Sequence, residues 1–174
     1  KGDIFTVGTN GGKAQQLTSN PAYDTHPVWS PDGKHIAFAS TREGSADVFI
    51  VDANGGEPRR LTTGSGGEVP MVFRDNDHIL FSASVMPSAE SIIFAGSFLQ
   101  VYETDTNGSR PKLYSTLPME NISFNANGDV LYHDNKGYED SWRKHHTSPI
   151  ARDIWMKQGD NYKKITDFAG EDRN

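Results

Sequence analysis

His26-Pro27-Val28-Trp29-Ser30-Pro31-Asp32-Gly33-Lys34-His35-Ile36-Ala37-Phe38-Ala39-Ser40 is the stretch whose reading decides the fold. Two short apolar runs, Pro27–Trp29 and Ile36–Ala39, flank the turn residues Ser30-Pro31-Asp32-Gly33. Proline presets φ at the second turn position, aspartate bonds nearby amides, and glycine accepts φ > 0. The stretch reads as strand, tight turn, strand.

Working outward, weaker copies of its surroundings recur. Asp3-Ile4-Phe5 and Leu17-Thr18 return 44 residues later as Asp47-Val48-Phe49 and Leu61-Thr62. Asn10-Gly11 and Asn54-Gly55 lie between the members of each pair. Asn-Gly marks a hairpin in which both central residues need φ > 0. A looser copy runs from Val101-Tyr102 through Asn107-Gly108 to Leu113-Tyr114, and another from Asp153-Ile154-Trp155 through Gly159-Asp160 to Ile165-Thr166. The opening hairpin recurs around Arg74–Asp77, in degenerate form, and around Asn125–Gly128. The unit is four strands over roughly 40–45 residues, the period of a propeller blade.

Blades are therefore expected at about 25–62, 68–114 and 119–166, with half a blade at 1–18, in one partial domain over 1–174. Ile36 and Phe38 alternate with Ala37, and Val48 and Ile50 with Phe49, so bulky and small residues take opposite faces. A β-sandwich shares short strands and regular turns, but recurrence of one four-strand unit favours the all-β propeller. Three and a half blades leave a ring open, so the chain reads as a piece of a longer propeller. Trp29, Phe73, Phe124 and Trp155 repeat at blade positions and are expected in the packing between blades.

Composition narrows the class. Seventeen Gly and nine Pro suit many short strands and turns. A net charge of −6 argues against a general nucleic-acid surface. No apolar run approaches the roughly 20 residues needed to span a bilayer. The absence of Cys excludes disulfides, thiolate metal sites and cysteine nucleophiles. No signal peptide is visible, so the chain is cytoplasmic or its leader has been removed or left out.

The run Pro27–Phe38, followed by Asp47-Val48-Phe49 and by Gly55-Gly56 with Leu61-Thr62, resembles the TolB-like propeller repeat. Gly96–Tyr102, Tyr132–Asp140, Trp142–Ser148, Ala151–Trp155, Thr166–Phe168 and Gly170–Asn174 resemble the N-terminal propeller of bacterial tricorn-type serine peptidases. That resemblance implies a periplasmic or secreted parent in which propeller modules precede PDZ-like and peptidase domains. Its catalytic serine would lie beyond residue 174, so this chain would be non-catalytic and would gate or present peptides. The alternatives are a TolB-like periplasmic scaffold that binds a partner protein without peptidase activity, and a propeller that senses carbohydrate or another ligand.

Two insertions depart from the repeat, at about Ser82–Ser97 and His133–Arg152, each joining the second strand of a blade to the third. The equivalent Thr41–Ala46 is short. Long loops on a rigid scaffold commonly carry binding sites. The second insertion holds Trp142, Arg143, Lys144, His145, His146 and Arg152, a basic cluster in an acidic chain. Arginine forks a peptide carboxylate, which makes these six the candidate contacts for a peptide or partner. The plainer reading pairs Arg143 and Arg152 with Glu139, Asp140 or Asp153 inside the loop. Adjacent histidines diverge and no His-x-x-Glu-His spacing exists, so no metal or other cofactor is expected. The Asp/Asn/Gly turns lack a calcium-loop pattern. No G-x-S-x-G elbow surrounds any serine, so Ser148, His146 and Asp153 do not make a persuasive triad. Asn107 and Asn121 match the glycosylation pattern by chance.

Overall fold

A computed structural model describes residues 2–84, 99–135 and 152–167. The chain falls into two compact units, 1–116 and 117–174. The first begins with the hairpin β1 (Phe5–Thr6) and β2 (Gln15–Gln16). It continues with an antiparallel sheet of β3 (Asp24–Trp29), β4 (His35–Ser40), β5 (Asp47–Asp52) and β6 (Arg59–Arg60). A second sheet holds β7 (Glu68–Phe73), β8 (His78–Ser84), β9 (Leu99–Asp105) and β10 (Lys112–Ser115). The second unit is one antiparallel sheet of β11 (Met119–Phe124), β12 (Val130–Asp134), β13 (Ile154–Gln158) and β14 (Asn161–Lys164). Strands neighbour one another in chain order within every sheet, the meander of a propeller blade. The described residues form an all-β fold without helix.

Alternation along β4 and β5 explains the core of the first unit. Ala37, Val48 and Ile50, with Leu61, pack against Phe73, Ile79, Phe81 and Ala83 of the next sheet. Ile36, Phe38, Phe49 and Val51 point the other way and meet Ile4 and Leu17 around the β1–β2 hairpin. Both faces of the β3–β6 sheet are thus buried, which is why its central strands are almost continuously apolar. Each fully buried Phe or Ile contributes roughly 1.5–3 kcal/mol.

The Ser30–Gly33 turn forms as its residues dictate. Gly33 N–H donates to Ser30 O at 2.9 Å, with Gly33 at φ 69°. Asp32 Oδ1 accepts from Ser30 Oγ at 2.7 Å and from Lys34 N–H at 3.1 Å. Those bonds, the Ser30 hydroxyl first, draw its pKa down to about 2. The Asn-Gly turns differ from expectation. Positive φ falls on Gly11 (82°), Gly55 (98°) and Gly108 (78°), whereas the preceding Asn residues keep negative φ. Each of these glycine amides donates to the carbonyl three residues back, on Gly8, Asp52 and Asp105. Asp52 and Asp105 also accept the Asn amide at 2.8 Å. A side-chain-nucleated turn closed by a left-handed glycine therefore replaces the two-residue loop.

The 44-residue repeat resolves into one local device. Ile4 N–H donates to Thr18 Oγ1, and Val48 N–H to Thr62 Oγ1, both at 2.9 Å. Ile154 N–H reaches Thr166 Oγ1 at 3.2 Å. The residue before each threonine donates its amide back, Leu17 to Ile4 O, Leu61 to Val48 O and Ile165 to Ile154 O, each at 2.8 Å. One residue further back, Gln16, Arg60 and Lys164 reach the acid that opens the third strand: Asp3 Oδ2 at 3.3 Å, Asp47 Oδ2 at 2.8 Å and Asp153 Oδ1 at 2.8 Å. The motif is thus Asp-(Ile/Val) against (Gln/Arg/Lys)-(Leu/Ile)-Thr, fastening the short fourth strand to the third.

Two expectations need correction. Trp29 is 52% exposed, because β3 is an outer strand of its sheet and only Val28 beside it turns onto the core. Phe73 is buried, while Phe124 and Trp155 are half-buried. The two insertions are also shorter than read, since strands run to Ser84 and Asp134 before the chain leaves the sheet.

Thr62→Val keeps the shape of a buried side chain but strands the Val48 N–H. Urea unfolding should show a loss of about 1–3 kcal/mol, with Thr62→Ser close to wild type. A loss in Thr62→Ser with none in Thr62→Val would mean that the methyl group, not the hydroxyl, matters.

Candidate functional site

The end of each sheet where the second strand passes to the third is where the sequence placed function, and it is rich in charge. In the β3–β6 sheet this end carries Arg42. Its guanidinium lies 5.5 Å from the Phe38 ring centroid and 4.7 Å from that of Phe49. Nη2 donates to both oxygens of buried Asp24, at 3.2 and 3.0 Å, and Nε donates to Ser40 Oγ at 2.9 Å. Only 12% of the Arg42 side chain is exposed. The arginine covers an aromatic pair and neutralises an acid that has no water to turn to.

The first residue of β7, Glu68, occupies the seam between the two sheets of the first unit. Its amide donates to Ala46 O at 2.7 Å, and Oε2 accepts from Gly64 N–H at 3.2 Å. A Cβ on Gly64 would come within 2.2 Å of Glu68 Oε1, so the carboxyl seats only against glycine. Within the β3–β6 sheet, Arg60 Nη2 reaches buried Asp47 2.8 Å away, as a charge contact off the hydrogen-bond direction. Burial raises the Glu68 pKa above 4.5, and the Asp47 charge adds to it; bonds from Thr62 and Gly64 and the Arg60 charge oppose.

At the turn end of β7–β8, the degenerate Arg74–Asp77 segment is held by its own network. Burial of Asp75 raises its pKa, but the amides of Asp77 and His78 and the His78 imidazole outweigh it and hold the value near 2. Arg74 pairs with Glu103 across the sheet.

In the second unit the root of the long β12–β13 connection is similarly built. Asp134 Oδ1 accepts from Asp153 N–H at 2.7 Å, and Oδ2 from the Trp155 indole Nε1–H at 3.0 Å. Asn135 Nδ2 donates to Glu120 Oε1 at 2.7 Å. Asn121 Nδ2 lies 3.2 Å from Nδ1 of buried His133. Beside this root an open pocket of about 400 Å³ is lined by Leu117, Pro118, Tyr132, Asp134, Asn135, Trp155 and Tyr162.

Of the sequence-proposed contacts, Arg152 is placed at this root. It pairs with Glu120 Oε2 at 3.0 Å, and its side chain is 23% exposed. Asp153 is buried against Lys164 and Asp134. Trp142, Arg143, Lys144, His145 and His146 lie outside the described residues, as do 85–98 of the other connection. Asp134, Glu120 and the aromatic lining were missed from sequence. Their signal is the spacing of the opening hairpin, which sets Tyr132 and Trp155 in the places of Phe38 and Phe49. Among the described residues no group of three or more His, Asp or Glu could hold a metal ion, and no helix is long and apolar enough to cross a membrane.

The family model described as "Tricorn protease N-terminal beta propeller domain" matches residues 1–174. Among solved structures, the chain superposes on the tricorn protease with TM-score 0.70 and 21% identity, covering 97% of this chain and 17% of that one. A TolB from Agrobacterium tumefaciens gives TM-score 0.64 at 22% identity, over 93% of this chain and 55% of that one. TolB from Acinetobacter baumannii gives 0.64 at 16%, over 94% and 37%. The chain therefore spans little more than half the length of the A. tumefaciens TolB and less of the other two. These likenesses share a fold.

Arg42→Met leaves buried Asp24 without its guanidinium partner, so unfolding should show a loss of about 3–5 kcal/mol, partly recovered by adding Asp24→Asn. An undiminished loss in the double variant would place the effect in ring stacking instead. Because the Glu68 pKa is raised on folding, its stabilising proton is fully present below about pH 4.5 and lost as pH rises through the folded value. Stability of wild type relative to Glu68→Gln should accordingly fall from pH 4.5 toward neutrality in parallel urea titrations; a flat difference would contradict it.

Proposed function

The chain belongs to the tricorn protease N-terminal β-propeller domain family, and from that membership we propose that it is the peptide-admitting, non-catalytic part of a serine peptidase. The observation that carries the reading is the family match over residues 1–174, joined to the position of the two long connections. Both leave their sheets between the second and third strands, after Ser84 and after Asp134, where the β4–β5 connection needs only residues 41–46. Long connections on a rigid scaffold are where binding commonly sits.

In this reading Trp142, Arg143, Lys144, His145 and His146, with Arg152 at the root, contact the peptide or a neighbouring domain. Arg152 is steadied by Glu120, which orients a guanidinium for a carboxylate without a large ordering cost. Partners are peptides or protein substrates and the remaining propeller, PDZ-like and peptidase domains of the parent, placed in the periplasm or outside the cell. The other occupation of such a scaffold is docking of a partner protein, as a TolB-like module without peptidase activity.

Hydrolysis of short and long peptides by the full-length protein tests this, against a variant with 85–98 and 136–151 replaced by six-residue links copied from 41–46. Turnover of short peptides should persist while discrimination by length is lost. Unchanged discrimination would remove the gating role, and no hydrolysis by either form would leave the docking scaffold.

A further inference from the structure

The sequence holds four Asn-Gly pairs, at 10–11, 54–55, 107–108 and 127–128, and in each the glycine amide donates to the carbonyl three residues back. Two of them are the same tripeptide at the 44-residue spacing, Asn10-Gly11-Gly12 and Asn54-Gly55-Gly56. Their backbones match. Gly11 N–H donates to Gly8 O at 2.8 Å and Gly55 N–H to Asp52 O at 2.9 Å. The paired glycines have φ of 82° and 116° in the first turn, and of 98° and 133° in the second. What differs is the residue two places before the asparagine. Asp52 Oδ1 accepts from Asn54 N–H at 2.8 Å and from Asn54 Nδ2 at 3.1 Å. The Asn54 carbonyl is taken by Gln15 Nε2 at 2.9 Å. Asp105 Oδ1 likewise holds Asn107 N–H at 2.8 Å, and Asn125 Oδ1 holds Asn127 N–H at 2.9 Å. Before Asn10 the place belongs to Gly8, which has no side chain to offer.

A carboxamide followed by glycine faces a nitrogen that no Cβ shields. We propose that Asn10 is a site of spontaneous covalent modification, at which the Gly11 nitrogen closes on Asn10 Cγ. Gly11 N–H gives its proton to a base in solution, the N–Cγ bond forms, and Nδ2 leaves as ammonia after taking a proton from water. Water then opens the cyclic imide at either carbonyl. The product is aspartate or, with the backbone rerouted through Cβ, isoaspartate. The balance is an amide and a water consumed for a carboxyl and an ammonia, with nothing oxidised or reduced. The glycine amide must leave its carbonyl partner in either turn, so that cost cancels between Asn10 and Asn54. Two effects then hold Asn54 back. Bonds to its amide and to Nδ2 fix the carboxamide and keep Cγ from swinging onto the glycine nitrogen. The Asp52 carboxylate also opposes loss of a proton from the Gly55 amide, as a nearby negative charge does. Neither acts at Asn10. Conversion puts a charge, and in isoaspartate an extra backbone methylene, into the turn that joins β1 to β2.

Ageing of the full-length protein in heavy-oxygen water at neutral pH, followed by peptide mapping, tests this, with enzymatic carboxyl methylation marking isoaspartate. Asn10 should convert at least about fivefold faster than Asn54, the factor of one ordinary hydrogen bond. In urea, where only the shared tripeptide remains, the two should convert alike. Gly8→Asp supplies the missing acid at a position without positive φ, where an added Cβ comes no nearer than 3.4 Å to Gly11 O. It should slow Asn10 about fivefold, and Asp52→Ala, in an exposed turn, should speed Asn54 by a similar factor. Equal rates in the folded protein would overturn the assignment, as would an Asn10 lead that persists in urea. Failure of either variant to shift its site would overturn the part given to the preceding acid.

Discussion

A threonine hydroxyl two residues past a glutamine, arginine or lysine closes each sheet that carries the repeat, and the rest of the architecture depends on that closure. The fourth strands are short; β2 and β6 have two residues each. Two ladder bonds cannot hold an edge strand against fraying. The additional acceptor on Thr18, Thr62 or Thr166, the returned backbone bond and the pairing of the opening acid extend the attachment beyond the ladder. With the edge fixed, Leu17 and Leu61 are fixed too, and they are the residues that close the two apolar clusters. The fourth copy is looser, with Ile165 at 45% exposure.

Closure of the sheets sets what their ends can do. Where the second strand passes to the third, the backbone leaves the ladder and polar groups must be satisfied by side chains. Asp24 with Arg42, Glu68 with Gly64, and Asp134 with Trp155 are three answers to one demand: the first two acids open the first strand of their sheets, and the third lies at the end of the second strand. The same variation that keeps the ends satisfied makes them chemically unlike one another. A blade scaffold gains specificity in this way without altering its strands.

The fold was legible because strand alternation, turn residues and the 44-residue echo agreed on one unit. Turn detail was less legible: Asn-Gly fits two turn families, and Asp52 and Asp105 decide between them through side-chain bonds that spacing does not encode. Trp29 misled because aromatic identity says nothing about which strand is outermost. The Glu120 pairing of Arg152 was missed because Glu120 is 32 residues away in sequence and adjacent only because β12 pairs with both β11 and β13.

Native-state hydrogen exchange of the Ile4, Val48 and Ile154 amides tests the closure of the sheets most directly. These N–H groups donate to threonine hydroxyls, not to a ladder carbonyl. Exchange of Ile4 and Val48 as slow as the centre of β4, with Ile154 faster but still protected, is the result expected. Exchange of all three at the rate of the exposed Lys34 turn amide would show that the threonine contacts do not hold the fourth strands in solution.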